Sequence, residues 1–324
     1  MRTRSGTKTG LSMIVLAASV SLAAAEYPER PIQIVVPYTP GGTVDLLARA
    51  LGPKLTEVWK QQIIVDNRPG AGGSVGAEFV AKAAPDGYTL LLSTNSPLTG
   101  NLAVYKSLNY DPLRDFEPVI VAGENSLLVV ANPKLPAKTT AELIALAKQK
   151  PGALAAGTSG NGTTAHLSLA QFNKMAGVEL THVPYRGGVP SLTAAISGEV
   201  QVTFSDIVPA LPLVKDGRLR AIASSGSRRA GVAPEIPTLA ESGLPGFNIT
   251  TWVGLVAPKG TPREIVTKLN SEINRILKTR EFADQIIAIG IDPIGNTPAE
   301  FAEFLRKEVP RWKDIVTEAG VKLE

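Results

Sequence analysis

The feature that most constrains this chain is a repeated alternation. Short β-branched runs give way, after Gly- and Pro-rich turns, to segments with helical apolar spacing, the signature of α/β architecture. Ile32-Gln33-Ile34-Val35-Val36 reads as a buried strand that ends at Pro37-Tyr38-Thr39-Pro40-Gly41-Gly42. Val44, Leu47, Leu51, Leu55 and Val58 then recur at three- and four-residue steps, one apolar face of a helix. Residues 63–65, 88–92, 119–121 and 127–130 read as further strands. A second series follows: a helix over 140–149, a strand over 153–156, a helix from about Thr163, and strands over 180–183, 200–204 and 219–223. A strand over 251–257 leads into helices over 262–277, 281–287 and 298–319, the last with a kink expected at Pro310.

Extended crossings near residues 122–126 and 248–251 separate the two series, which predicts one domain inserted into another. Domain 1 is expected over 26–124 and 250–324, domain 2 over 125–249, with a cleft between them. About 300 residues exceed what one core usually organises, so two domains are the natural reading.

The N-terminus carries an address. Arg2, Arg4 and Lys8 precede an apolar run from Leu11 to Ala24, and the stretch closes on Ala23-Ala24-Ala25. Basic, apolar, small is the order of a cleavable secretory signal, with cleavage expected after Ala25. The run is too short to span a bilayer, which takes roughly 20 apolar residues. An exported, soluble protein is therefore expected.

Loss of the leader removes three basic residues and no acids, leaving 30 basic against 29 acidic residues. A near-neutral chain without Lys/Arg runs or clustered aromatic residues gives no footprint for nucleic acid. The absence of cysteine excludes disulfides, thiolate metal sites and cysteine nucleophiles together. Only His166 and His182 are available as imidazole ligands, without HExxH spacing, so neither a metal nor any other cofactor is expected.

Candidate chemistry sits in strand-to-helix turns. Tyr38, Thr39, Gly41, Gly42 and Thr43 form one, and Ser93, Thr94 and Asn95, followed by Ser96, form another. Thr158, Ser159, Asn161, Gly162 and Thr163 form a third, in the second series, with His166 one turn into the helix. Such turns present free backbone N–H groups at a helix start, where the dipole favours anions. Ordinary N-capping would use the same residue types. His182, inside an apolar strand, reads as a structural histidine, whereas His166 is open to either role. Tyr185-Arg186 ends a strand, and the Arg186 fork suits a carboxylate. Ser205-Asp206 ends another, where Asp206 either caps the next helix or meets a ligand donor.

Two enzyme-like patterns fail on context. Residues 160–165 satisfy a relaxed dinucleotide fingerprint, but Glu179 begins the next strand instead of ending it. Gly72-Gly73-Ser74-Val75-Gly76 matches the hydrolase pattern, yet about eight residues, Pro69 among them, separate the strand from Ser74 where an elbow needs none. Ser74 is expected to cap the helix that follows.

Several longer stretches together resemble the Bug family, the periplasmic receptors of tripartite tricarboxylate transporters. They are Tyr27-Pro28-Glu29-Arg30-Pro31-Ile32, Pro37-Tyr38-Thr39-Pro40-Gly41-Gly42-Thr43-Val44-Asp45, Asp66-Asn67-Arg68-Pro69-Gly70-Ala71-Gly72-Gly73, Pro85-Asp86-Gly87-Tyr88-Thr89-Leu90, Val183-Pro184-Tyr185-Arg186-Gly187 and Pro258-Lys259-Gly260-Thr261-Pro262. The resemblance implies a two-lobed, type II-like periplasmic binding protein, not an enzyme. It would close on a small carboxylated solute and deliver it, as a monomer, to an inner-membrane permease. It also implies that the Tyr38 and Ser93 loops hold one carboxylate, while the Thr158 loop, Tyr185-Arg186 and Ser205-Asp206 face it from the other lobe. The 66–73 stretch then reads as a structural turn. Arg186 stands where Tyr-Lys-Gly is common in the family, which suggests a second carboxylate and a dicarboxylate ligand. The rival readings are a secreted hydrolase using Ser74 and a ligand sensor that reports to a signalling partner.

Overall fold

The structure, a computed structural model, describes residues 27–318. The leader, its cleavage point and Ala319 lie outside the described residues. Strands β1 (Ile32–Val36), β2 (Ile63–Asn67) and β3 (Thr89–Thr94) are parallel, in the order β2-β1-β3. Ile32, Ile34, Val35 and Val36 are all buried, as a parallel strand covered on both faces requires. Helix α1 (Thr43–Trp59) packs Val44, Leu47, Leu51 and Leu55 onto one face of this sheet. Val58 does not join the stripe and is 42% exposed. Trp59, four residues beyond Leu55 and so nearer in phase, packs there instead.

The chain then makes helix α2 (Ser74–Ala81), the short α3 (Asn101–Val104) and strand β4 (Phe116–Ala131). The two strands expected over 119–121 and 127–130 are one continuous strand of 16 residues. Gly123, Glu124, Asn125 and Ser126 interrupt the apolar run without interrupting the ladder. They pair in turn with Val253, Trp252, Thr251 and Thr250 of β9 (Thr250–Pro258). A strand needs backbone partners, and these polar side chains do not remove any.

The far end of β4, Leu127 to Ala131, enters a second sheet between β7 (Val202–Asp206) and β8 (Arg220–Ser224). Strands β5 (Ala155–Thr158) and β6 (Thr181–Pro184) complete it, with β5 and β7 parallel. Several of these strands begin one or two residues later than their apolar runs suggest. Around the second sheet lie α4 (Thr140–Gln149), α5 (Thr164–Ala176), α6 (Gly188–Ser197) and α7 (Ile207–Lys215). Thr139 and Glu142 form a reciprocal capping box at the start of α4, which satisfies two otherwise free N–H groups.

After β9 come α8 (Arg263–Leu277), α9 (Arg280–Ala288), the two-residue β10 (Asp292–Pro293) and α10 (Pro298–Glu318). Helix α10 runs through Pro310 without a break. Its Phe301 and Leu305 pack on the first sheet, while Trp312, Ile315 and Val316 join the core of the second. One helix thus contributes to the cores of both lobes. Among the described residues, no helix is long and apolar enough to cross a membrane.

Strand direction places the site. Thr94, the last residue of β3, pairs with Val253, and Asp206, the last of β7, pairs with Leu127. Both partners flank the segment where β4, paired with β9, leaves the first sheet for the second. The carboxyl ends of the two parallel strand sets therefore converge on the crossing from opposite sides. Open α/β sheets bind ligands at such ends.

Candidate functional site

A cleft of about 340 Å³ lies at this convergence. The first lobe lines it with Tyr38, Thr39, Gly42, Thr43, Val44, Thr94 and Ser96. The crossing strands add Asn125, Thr251 and Val253, and the second lobe adds Asp206.

The first wall is a braced turn. Gly41 has φ +85, a backbone state that L-residues with a side chain seldom adopt. Its N–H donates to Asp45 Oδ2 at 2.8 Å. Asp45 is 2% exposed and also accepts from Arg49 Nε at 3.0 Å and Asn67 Nδ2 at 3.0 Å. The Asn67 amide donates in turn to the Tyr38 carbonyl at 3.1 Å. Burial pushes the Asp45 carboxyl up, but these hydrogen bonds outweigh it and hold the group below the usual carboxylate range. Asp45 therefore stays ionised and fixes the turn. Gly42 is the N-cap of α1 and brings no side chain to cap the helix. The first N–H groups of α1 are left facing the cleft end without a capping oxygen.

At the end of β3 the Tyr38 and Thr94 hydroxyls lie 2.5 Å apart. Burial raises the Tyr38 phenol above its ordinary pKa, with the Thr94 hydrogen bond pulling the other way, so it is a neutral hydroxyl at working pH. Gly73 supports this pair from behind. It has φ +91, and a Cβ there would stand 2.6 Å from Pro97 Cγ and 3.3 Å from the Tyr38 hydroxyl. The 66–73 stretch is thus a turn that backs the cleft wall.

The expected site residues fall into four groups. Tyr38, Thr39, Gly42, Thr43, Thr94 and Asp206 line the cleft, and Gly41 shapes it. Ser93 and Asn95 lie buried beneath the wall, each with a side-chain oxygen that has no partner. The β5–α5 loop is occupied with itself. Thr158 Oγ1 lies 2.7 Å from His182 Nε2 and accepts from the Gly160 N–H. Ser159 donates to Thr163 Oγ1, Thr163 donates to the Gly160 carbonyl and caps α5, and Gly162 N–H donates to His166 Nδ1 at 3.2 Å. Asn161 is exposed.

Tyr185 donates to Glu199 Oε1 at 2.7 Å. Arg186 is exposed and is not among the cleft-lining residues. Ser205 is 1% exposed, with its hydroxyl unpaired beneath Gly188. His182 fits the structural role read from its strand, bonded to Thr158 and stacked on His166.

Sequence reasoning missed Val44, Asn125, Thr251 and Val253. The available signal was the position of the crossings, since the last three lie on them or beside them. Thr251 also donates to Thr164 Oγ1 at 3.2 Å, tying the crossing to the start of α5.

Ser74 is no nucleophile elbow. It opens α2 after a six-residue turn, and its hydroxyl accepts from Asn101 Nδ2 at 2.8 Å and lies 3.5 Å from Tyr110 Oη. Both histidines are in the second lobe. Nor does it cap the helix as its spacing suggests: the N-cap position belongs to Gly73, so the helix starts one residue earlier, with Ser74 as its first residue.

Asp206 holds the N-cap position of α7 but makes no capping bond. It reaches the water of the cleft, while atoms of both lobes crowd it. That loss of solvent raises its pKa, against a weaker pull from the neighbouring Asn125 amide. It is the one charged residue in the lining. The first wall offers uncapped N–H groups and five hydroxyls, those of Tyr38, Thr39, Thr43, Thr94 and Ser96, a setting suited to one carboxylate. Among the described residues, no group of three or more His, Asp or Glu side chains stands ready to hold a metal.

The profile of the tripartite tricarboxylate transporter family receptor matches residues 47–321. Protein BugT of Bordetella pertussis is 37% identical over 97% of both chains. The structure of R. palustris Rpa4515 with adipate superposes with a TM-score of 0.78, at 37% identity, over 92% of this chain and all of that one. That of MatC from Rhodopseudomonas palustris with bound malate gives 0.72 at 33% identity, over 90% of this chain and all of that one. The chain belongs to the tripartite tricarboxylate transporter receptor family, a family of two-lobed α/β periplasmic binding proteins.

Proposed function

We propose that this protein is a periplasmic receptor that captures a small carboxylated organic acid and delivers it to the permease of a tripartite tricarboxylate transporter. The observation that carries this reading is the convergence of both sets of strand ends on one cleft, whose first wall offers uncapped N–H groups beside Tyr38, Thr39, Thr43 and Thr94. The adipate and malate held by related structures are small acids of the kind such a wall suits. Domains over 26–124 with 250–324 and over 125–249 hinge where β4 and β9 cross. A ligand that touches both lobes stabilises the closed state by its differential affinity. The leader is removed after Ala25, and the monomer works without chemistry or cofactor. The β5–α5 loop and Ser205 would approach the ligand as the lobes close, while Tyr185 stays bonded to Glu199 and Arg186 lies exposed outside the lining.

Thermal melting in the presence of mono-, di- and tricarboxylates, aromatic acids and amino acids tests the reading. A ligand at about 100 times its Kd adds about 2.7 kcal/mol of stability. An acid that raises Tm and is recovered unchanged is the expected result. An acid consumed over time would reject a pure receptor, and no shift across the panel would reject the carboxylate ligand.

A further inference from the structure

Resting on that receptor reading, the charge inventory of the cleft narrows the ligand. Its lining contains no lysine, arginine or histidine, and its one acidic side chain is Asp206. Asp206 faces the first wall from the opposite lobe. It is free of the capping bond that its helix position would allow. Beside it on the crossing strand, Asn125 is 7% exposed, lines the same cleft and leaves its Oδ1 without a hydrogen-bond partner. A buried acceptor without a donor is costly, and a carboxylate next to it adds further acceptor capacity and no donor.

These groups ask for a ligand with donors at that end. A carboxylate held at the first wall would need an ammonium, or a comparable cationic donor, at its other end to meet Asp206 and Asn125. A second carboxylate there would meet Asp206 with no cation between them, and the two could not both stay ionised without cost. Arg186, the residue the sequence suggests for a second carboxylate, is exposed and outside the lining.

We infer that Asp206, with Asn125 beside it, is a specificity-determining acceptor that selects amine-bearing carboxylates over dicarboxylates. Neutral-tailed acids would bind between the two. The chain thereby differs in preference from relatives that hold dicarboxylates, although the cleft is built on the same fold.

Calorimetric titration of protein purified after expression of the full chain tests this with four probes of equal backbone length. They are pentanoate, 5-aminopentanoate, norvaline and glutarate, measured on the natural protein and on Asp206→Asn. Asparagine keeps the shape and can hold the N-cap position, and melting curves check that the variant folds. At least one amine-bearing acid is expected to bind ten-fold or more tighter than both pentanoate and glutarate. In Asp206→Asn that acid should weaken at least ten-fold more than pentanoate does, and glutarate should gain. Tightest binding of glutarate by the natural protein would overturn the inference and leave the receptor reading standing. So would equal weakening of all four probes by Asp206→Asn. Binding of none of them would overturn both.

Discussion

The rings of His166 and His182 lie face to face, with centroids 3.9 Å apart and planes 9° from parallel. The stack joins α5 to β6. It holds the β5–α5 loop at both ends, through Gly162 N–H on one ring and Thr158 on the other. Because His166 Nδ1 accepts that N–H, its neutral form carries its proton on Nε2. Two imidazolium ions could not stack in this way, so the arrangement requires neutral rings.

Stability should therefore fall in mild acid. Burial lowers the pKa of both rings, and the charge of His166 adds to the effect on His182, which is pushed down to about 4. A group that binds fewer protons folded than unfolded stabilises fully above its unfolded pKa, near 6.5. That contribution is lost as pH falls from there towards 4. For His182 it amounts to at most about 3 kcal/mol. Urea unfolding at pH 7.5 and 4.5 measures the loss, and His182→Gln should shrink it. An unchanged pH dependence in that variant would contradict the assignment.

Removing the brace on the first wall should cost both stability and binding. Asp45→Ala leaves the Gly41 N–H, the Asn67 amide and the Arg49 guanidinium without their shared acceptor. Hydrogen bonds to a buried charge are each worth about 1.5–3 kcal/mol, so a loss of about 3 kcal/mol is expected in urea unfolding. The turn would also lose its fixed shape, and a carboxylate ligand should bind at least ten-fold more weakly. Full affinity in a stably folded variant would show that the turn does not hold the ligand.

Gly73→Ala tests the support behind Tyr38 and Thr94. The added methyl would meet Pro97 in a backbone conformation that alanine adopts only under strain. Strain of about 1–2 kcal/mol and overpacking of about 1–3 kcal/mol predict a drop of roughly 2–5 kcal/mol in unfolding free energy. Thermal melting would register this directly. Gly152→Ala is the control, because its φ of +72 brings the same backbone strain with no atom within 4 Å of the new methyl. A smaller loss there isolates the part due to packing.

The α/β class, the helix stripes and the convergence of Gly-rich turns could be read from period and composition, because burial imposes both. The crossing was harder. Gly123, Glu124, Asn125 and Ser126 have the composition of a loop, yet they continue β4 because β9 offers a partner for each, and no local signal reports a partner more than a hundred residues away. Site membership also depends on where side chains point. Thr158 and Thr94 look alike in sequence, each a threonine at a strand end before a helix. Thr94 faces the cleft across from Tyr38, whereas Thr158 is taken up by His182, and spacing alone does not distinguish them.

Ser74 offers the clearest separation of a receptor from a hydrolase. Its hydroxyl accepts from Asn101, whose amide also donates to the Gly72 carbonyl at 3.2 Å. The donor opens α3 and ties Ser74 to Gly72 of the turn behind the first wall, so the group is structural. Ser74→Ala deprives a buried amide of one acceptor and should cost about 1–2 kcal/mol. Ligand affinity, measured by calorimetry with whichever acid shifts Tm, should change less than three-fold, because the Gly72 bond still holds Asn101 in place. Hydrolysis of a p-nitrophenyl ester should be at the background rate in both proteins. Turnover that disappears with the hydroxyl would establish a nucleophile despite the absence of a histidine in the same lobe, and the receptor reading would have to yield.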